Sequence, residues 1–215
     1  MAIRASDHTG QRGGIVFLEP AVLLVEGPDD QLVFKKLAEL EGVPDLQIIS
    51  MRGNTNWQKR IRPLQNTSGF ANVTSIGLIQ DADNDFSSVF DSLKDCLRTL
   101  NFPFPDVAGS VQIDGQRRGG IFVCHNGERT GELEDICLAA LDTDERIECV
   151  NMFIHCLDNV RGTRHPEASK AKIAAFLASQ DQPWLKLGLA AEKMLLPLDN
   201  AAFRPARDFL NDLAN

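Results

Sequence analysis

The fold is decided by a stretch that reads AVLLVEGPDDQLVFKKLAELEG over residues 21–42. Residues 21–26 form an apolar run that ends at Glu26, and Gly27 follows, which predicts a buried strand and a sharp turn. Pro28 suits the first position of a helix, and apolar residues then recur at helical spacing until Gly42. The stretch therefore predicts a strand–turn–helix unit with an acid at the end of its strand.

The same unit recurs twice farther along the chain. The run LQIISM at residues 46–51 predicts a second strand, and a short helix is expected from Trp57. The run VTSIGLIQ at residues 73–80 predicts a third strand, followed by an amphipathic helix from Phe86 with Asp85 as its N-cap. Three successive strand–helix units favour an α/β fold with a mostly parallel sheet flanked by helices.

The pattern changes in the second half of the chain. Residues 111–124, VQIDGQRRGGIFVC, predict two strands joined near Asp114-Gly115, a hairpin at the edge of the sheet. Helical spacing then dominates. The helices expected there cover residues 132–141, residues 145–157, residues 167–179 and a segment near the C-terminus.

Length and composition indicate one folded unit. A chain of 215 residues is long enough for one sizeable core with an extension. We expect residues 1–125 to form the α/β core and residues 126–215 to form a helical extension packed on it, as one compact unit. No stretch approaches the roughly 20 consecutive apolar residues of a membrane helix, and the polar N-terminus lacks an apolar signal segment, so a cytoplasmic location is expected.

Charge and cysteine content exclude some classes of function. The formal net charge of −8 argues against a basic protein that coats nucleic acid, although a bound cation can still attract phosphate to an acidic site. The five cysteines are dispersed without a C-x-x-C, so they indicate neither a disulfide framework nor a zinc ribbon. Most are expected to be core thiols, with Cys149 and Cys156 on one buried face of a helix.

Acidic side chains follow two of the predicted parallel strands. Glu26 ends the first strand, and Asp81 and Asp83 leave the third. Because ligands gather at the carboxyl ends of parallel strands, these acids are expected to meet at one edge of the sheet. Asp81 and Asp83 are two apart in a segment expected to be extended, so they should point to the same side. Carboxylates about 4 Å apart repel by roughly 4 kcal/mol at an effective dielectric near 20, so such a cluster needs solvent, protonation or a metal ion.

Two other motifs that open with D-x-D do not fit. A calcium loop needs Gly at its sixth position and Glu at its twelfth, where this chain has Phe86 and Ser92. A haloacid-dehalogenase-like phosphatase continues to Thr or Val where this chain has Asp85. The sequence also lacks the glycine patterns of dinucleotide-binding and P-loop proteins.

The order of the two acidic motifs resembles that of the Toprim domain of topoisomerases, bacterial primases and nucleases. The matching stretches are EGPDDQLVF at residues 26–34 and GLIQDADND at residues 77–85, and the likeness extends from residue 21 to about residue 124. The sequence is most similar to the Toprim nucleases of the overcoming-lysogenization-defect type and to a family of stand-alone bacterial Toprim-related proteins. The resemblance implies a nuclease that hydrolyses phosphodiesters with two Mg²⁺ or Mn²⁺ ions.

The resemblance also assigns roles to particular residues. The metal ligands that it implies are Glu26, Asp30, Asp81, Asp83 and Glu134. The residues that it implies in catalysis are Glu26, Asp81, Asp83, Lys170 and Lys172, with one of the two lysines stabilising the transition state.

Simpler roles remain open for several of these side chains. Asp30 lies in the first turn of a helix, where the helix dipole alone favours an acid. Glu134 fits a solvated acid at a helix start, and Lys170 and Lys172 fit surface lysines on an alanine-rich helix. His125, after the last predicted strand, is a candidate to line the site.

The chain also departs from its resemblance in ways that bear on function. It contains no tyrosine, which excludes a tyrosyl-DNA intermediate, and it has neither a zinc-binding element nor a basic tract for a primase. It shows no attached ATPase domain, so an ATPase motor or sensor is expected to be either a separate chain or absent, and a separate ATPase or a defence-complex protein is the candidate partner. The alternative to a nuclease is a non-enzymatic Toprim-like module that binds metal or nucleotide within a defence or repair complex.

Overall fold

Five strands and eight helices make up the part of the chain that the computed structural model describes, residues 14–43, 45–53, 57–127 and 129–215. The strands are β1 (Ala21–Val25), β2 (Leu46–Ser50), β3 (Ser75–Asp81), β4 (Ser110–Asp114) and β5 (Arg117–Cys124). The helices are α1 (Pro28–Glu41), α2 (Trp57–Ile61), α3 (Phe86–Thr99), α4 (Leu133–Ala140), α5 (Arg146–Arg161), α6 (Ala168–Ala178), α7 (Leu187–Glu192) and α8 (Arg204–Ala214). Within these described ranges, no helix is both long and apolar enough to cross a membrane.

The strands form one sheet in the order β2-β1-β3-β5-β4. Strand β1 pairs in parallel with β2 and β3, and β3 pairs in parallel with β5. Strand β4 is antiparallel to β5 and completes a hairpin at the edge. The predicted fold class, a mostly parallel sheet flanked by helices with an edge hairpin, is confirmed.

Local sequence chemistry explains where the first helices begin and end. Pro28 is the first residue of α1, and Asp30 accepts a hydrogen bond from the backbone nitrogen of Gly27 at 3.0 Å. Gly42 ends α1 in the left-handed region, at a φ of 63°. Asp85 caps α3 as predicted, because its side chain accepts a hydrogen bond from the backbone nitrogen of Ser88 at 3.0 Å.

Each face of the sheet carries its own layer of buried side chains. Successive residues of β1 alternate between the layers, since Leu23 and Val25 belong to one cluster and Val22 and Leu24 to the other. The first cluster is covered by α1, α4, α6, α7 and α8, and the second by α2 and α3. With both faces covered, strands with continuous apolar runs are buried throughout.

The C-terminal helix α8 packs directly on the sheet. The ring of Phe209 lies 5.6 Å from that of Phe122 on β5, centre to centre. A Cβ at Gly120 would lie 2.8 Å from the Phe209 ring, so the absence of a side chain there lets the helix approach. The buried hydroxyl of Ser75 on β3 donates a hydrogen bond to the carbonyl of Leu213 at 2.5 Å. The last helix therefore completes the covering of the sheet.

Two expectations for the C-terminal third are corrected by the structure. Helix α5 continues to Arg161, beyond the expected end at residue 157. Cys149 and Cys156 do share a face of α5, but that face is exposed, because the helix turns Val150 and Ile154 towards the core. Helical periodicity shows which residues lie together, and here it did not show which side is buried.

Candidate metal-binding site

Two acidic segments meet at the carboxyl end of the central strands. Asp81 is the last residue of β3, and Glu26 directly follows the neighbouring strand β1. The Oδ1 atom of Asp81 accepts a hydrogen bond from the backbone nitrogen of Leu133, the first residue of α4, at 2.9 Å. The start of α4 is thereby held against the end of β3.

Three carboxylates come close together at this junction. One side-chain oxygen each from Asp81, Glu132 and Glu134 lies within 4.8 Å of the other two. All three side chains are half-buried. The acids at the end of β3 and at the start of α4 thus form one cluster, which we call the carboxylate cluster.

The start of α4 is fixed by backbone contacts and by the side chain of Asp135. Gly131 and Asp83 exchange backbone hydrogen bonds of 2.8 and 2.9 Å, which places the residue before Glu132 beside the end of β3. The backbone nitrogen of Glu132 donates to the Oδ2 atom of Asp135 at 2.9 Å, a capping contact. Asp135 is therefore occupied with helix capping, while its two acidic neighbours lie in the cluster.

Glu26 and Asp30 approach the same place from the β1–α1 turn. The charge of Glu26 lies close enough to Asp81 to raise the pKa of that carboxyl, after burial and the charge of Asp30. The backbone carbonyl of Glu26 accepts one from the nitrogen of Gly53 at 2.8 Å, which fixes the turn. Asp30 acts as the capping acid of α1, yet its charge is close enough to raise the pKa of Asp81.

Crowding of negative charge in a partly buried place raises the pKa of these carboxyl groups. Burial first, and then the charges of Asp30 and Glu26, raise the pKa of Asp81 to about 9. The pKa of Glu26 is raised to about 7, by burial and then by the charges of Asp30 and Asp83. The pKa of Glu134 is also raised to about 7, by burial and then by the charge of Glu132. These carboxyl groups therefore bind a proton or a cation more readily than isolated carboxyl groups in water do.

The two candidate lysines occupy different surroundings on α6. The Nζ atom of Lys170 lies 2.7 Å from the Oε2 atom of Glu132, and its charge lowers the pKa of Glu26 and Glu134. Burial acts to lower the pKa of Lys170, but its hydrogen bond to Glu132 and the surrounding carboxylates raise it. Lys172 lies two residues on, about 200° farther around the helix, so the two lysines face different sides. The geometry places Lys170 at the carboxylate cluster.

Asp83 does not continue the extended strand as expected. Its φ of 47° lies in the left-handed region, so the side-chain alternation of β3 stops after Asp81. The expectation that Asp81 and Asp83 point to one side because both are extended is therefore wrong. Asp83 is exposed, although its charge still raises the pKa of Glu26.

Glu132 is the member of the cluster that the sequence analysis did not single out. In the sequence it lies off the apolar stripe of a helix, where charged residues are ordinary. The sequence signal for it was the triplet Glu132-Leu133-Glu134 at the start of a helix, which has one acid on each side of a buried leucine. The hydrogen bond between Leu133 and Asp81 and the backbone pair of Gly131 and Asp83 bring this segment to the end of β3.

Comparison with known proteins gives a family and several solved structures. No curated protein matches the chain. The C-terminal region of the Xanthomonas campestris pv. campestris OLD protein is similar, with 16% identity over 93% of this chain and 90% of that chain and a TM-score of 0.39. The C-terminal region of the Burkholderia pseudomallei OLD protein shows 14% identity over 91% of this chain and 89% of that chain, with a TM-score of 0.40. OLD proteins are the overcoming-lysogenization-defect group that the sequence motifs resemble.

A family model described as "Protein of unknown function (DUF3226)" matches residues 20–215. The match begins just before β1 and runs to the last residue, so it includes both acidic segments and all eight helices. The chain therefore belongs to the DUF3226 family.

Proposed function

We propose that this chain is a phosphodiesterase that hydrolyses nucleic acid with Mg²⁺ or Mn²⁺. The observation that carries the proposal is the carboxylate cluster, in which oxygens of Asp81, Glu132 and Glu134 lie within 4.8 Å of one another. Its place at the carboxyl ends of β1 and β3 is where ligands gather in parallel sheets. The motif likeness of residues 26–34 and 77–85 to Toprim nucleases supports the same assignment.

The donor set fits a hard divalent cation. Mg²⁺ and Mn²⁺ take oxygen ligands, and ionised carboxylates are prominent among them. Asp81, Glu132 and Glu134, whose side-chain oxygens lie within 4.8 Å of one another, would hold one such ion. Glu26, Asp30 and Asp83 stand around the three and would hold the ion, or a second one, as further ligands or through water.

The side chains of the site have different proposed roles in hydrolysis. A divalent cation, when bound, polarises a phosphoryl oxygen and acidifies water. Asp81 holds the end of β3 to α4 and so keeps the ligand groups together. Lys170 brings a positive charge to the cluster, where negative charge develops on a phosphate in the transition state. In the metal-free protein Glu26 and Glu134 have pKa values of about 7, and a bound cation would displace the protons that they hold near neutral pH.

A nicking assay tests the proposal. Purified protein with Mn²⁺ is expected to nick supercoiled plasmid DNA, and Asp81→Asn is expected to abolish nicking while its amide oxygen still accepts from Leu133. Asp114→Asn, at an exposed acid on the edge strand β4, serves as the matched control and should nick normally. Equal nicking by the Asp81→Asn protein would identify a contaminant and overturn the assignment.

Calorimetric titration with Mn²⁺ beside the nicking assay separates this function from the alternative. Binding of the ion without cleavage of DNA, RNA or a small phosphodiester would identify a non-enzymatic metal-binding module. Binding that is lost together with cleavage in the Asp81→Asn protein supports the phosphodiesterase.

A further inference from the structure

Aromatic rings and cations form a continuous row of contacts along α3 and the loops beside it. The guanidinium carbon of Arg129 lies 5.0 Å from the centre of the Phe86 ring, which in turn stacks on Phe90 at 6.3 Å. The Nζ atom of Lys94 lies 5.3 Å from the Phe90 ring and 5.7 Å from the Phe104 ring. The chain of contacts ends with Arg98, 4.8 Å above Phe104. We call Arg129, Phe86, Phe90, Lys94, Phe104 and Arg98 the aromatic–cation strip.

One end of the strip adjoins the carboxylate cluster. Phe86 is the first residue of α3 and follows Asp85 at the end of the segment that leaves β3. Its ring packs edge to face against His125 at 5.4 Å, directly after β5. Arg129 lies two residues before Gly131, which exchanges backbone hydrogen bonds with Asp83. The strip therefore starts at the loops that frame the site and runs away along α3 for about 18 Å, the length of 12 helical residues.

The strip is available to a ligand. The three rings are half-buried against the core, and a long cationic side chain lies over each of them, so a base that stacks on a ring takes the place of that side chain. Arg129 is exposed, and the Arg98 side chain is 59% exposed. Lys94 and Arg98 pair with Asp91 and Asp95 on the same helix. The acidic partners are exposed, at 74% of the Asp91 and 53% of the Asp95 side chain, and pairs with such partners contribute little, so both cations can turn to another anion.

We propose that the aromatic–cation strip binds a single strand of nucleic acid and leads it to the carboxylate cluster. Ring faces stack on bases of any sequence, and Lys and Arg side chains contact the phosphates between them, the combination used by proteins that bind single strands. A duplex hides its base faces, so it cannot use the rings. This inference rests on the proposed function, since it names the form of the nucleic acid that the same site receives.

Fluorescence anisotropy of a labelled single-stranded oligonucleotide, measured in EDTA so that no cleavage occurs, tests the strip. Phe86→Leu keeps an apolar side chain against the core but removes the ring, and it is expected to weaken binding at least about fivefold without changing the salt dependence. Arg129→Gln and Lys94→Gln are each expected to reduce the slope of log Kd against log salt by about 0.7, because each removes one phosphate contact.

Arg146→Gln is the matched control. Arg146 also lies over a phenylalanine ring, 4.7 Å from that of Phe176, but on α5 and above a fully buried side chain. Its removal should leave both the Kd and the salt slope unchanged. A control variant that weakens binding as much as Arg129→Gln would overturn the proposal in favour of a diffuse charge effect.

Binding of duplex DNA and of single-stranded RNA, measured in the same way, tests which features of the nucleic acid the strip recognises. Duplex DNA is expected to bind at least about tenfold more weakly than the single strand, and an RNA of the same sequence equally well, because bases and phosphates are common to both. Equal binding of duplex and single strand, or binding of only the DNA or only the RNA, would overturn the role of the rings. Strip-dependent binding without metal-dependent cleavage would uphold the strip and refute the phosphodiesterase, so the two failures are distinguishable.

Discussion

The carboxylate of Asp81 and the backbone nitrogen of Leu133 are joined by a 2.9 Å hydrogen bond across 52 positions of the chain. This bond brings the start of α4 to the end of β3 and sets Glu132 and Glu134 beside Asp81. The three carboxylates of the cluster thus come from two segments, and neither segment alone supplies all three.

Glu132→Gln is therefore expected to weaken Mn²⁺ binding by about tenfold or more, because it removes one charged ligand from the cluster. Glu145→Gln is the matched control, since Glu145 is also a glutamate that immediately precedes a helix but is exposed. Calorimetric titration of both variants gives the comparison. If the Glu132→Gln protein binds Mn²⁺ with wild-type affinity, Glu132 is not a metal ligand and its role is only to pair with Lys170.

The two lysines of α6 are expected to differ in catalysis. Lys170→Gln removes the cation at 2.7 Å from Glu132 and should slow cleavage about 100-fold, the usual loss when one charge-stabilising group is removed. Lys172→Gln should stay within about twofold of the wild-type rate. Single-turnover cleavage of a labelled oligonucleotide measures both, and equal rates for the two variants would refute the role of Lys170.

The raised carboxyl pKa values predict how the stability of the metal-free protein depends on pH. Glu26, Asp81 and Glu134 have pKa values of about 7, 9 and 7 in the folded protein, above the ordinary values of 4.5, 3.8 and 4.5. Between these limits the folded state binds more protons than the unfolded chain, so the free energy of unfolding falls as pH rises from about 5 to about 8. Thermal melts in EDTA should show Tm decreasing over that window.

Two further melts check the origin of that slope. Asp81→Asn should flatten the decrease, because the amide does not ionise. Saturating Mn²⁺ should raise Tm most at the higher pH, where the ion no longer competes with protons. A Tm that rises with pH in the metal-free protein would contradict the assigned pKa shifts.

Much of the fold follows from local sequence chemistry, whereas the complete site does not. Pro28 and Asp85 mark helix starts through short-range steric and hydrogen-bonding rules, and Glu26 and Asp81 end strands whose apolar runs are unmistakable. The partnership of Glu132 with Lys170 joins positions 38 apart through the packing of α4 and α6, and no periodic pattern encodes it. Short-range rules of capping and periodicity predict the helices and strands, whereas contacts between distant parts of the chain determine which acidic side chains lie together.

The contact between α8 and the sheet predicts that the C-terminal helix is required for the stability of the fold. Leu213 is fully buried, and its side chain lies so close to Gly77 on β3 that a Cβ there would come within 2.5 Å of it. Leu213→Ala should therefore lower the free energy of unfolding by about 2–5 kcal/mol through the cavity that it leaves. Leu189→Ala on α7 is the control, since that side chain is 42% exposed and should cost less than about 1 kcal/mol. Urea unfolding followed by circular dichroism measures both. If Leu213→Ala instead leaves a single unfolding transition at the wild-type midpoint, α8 does not stabilise the sheet on which it lies.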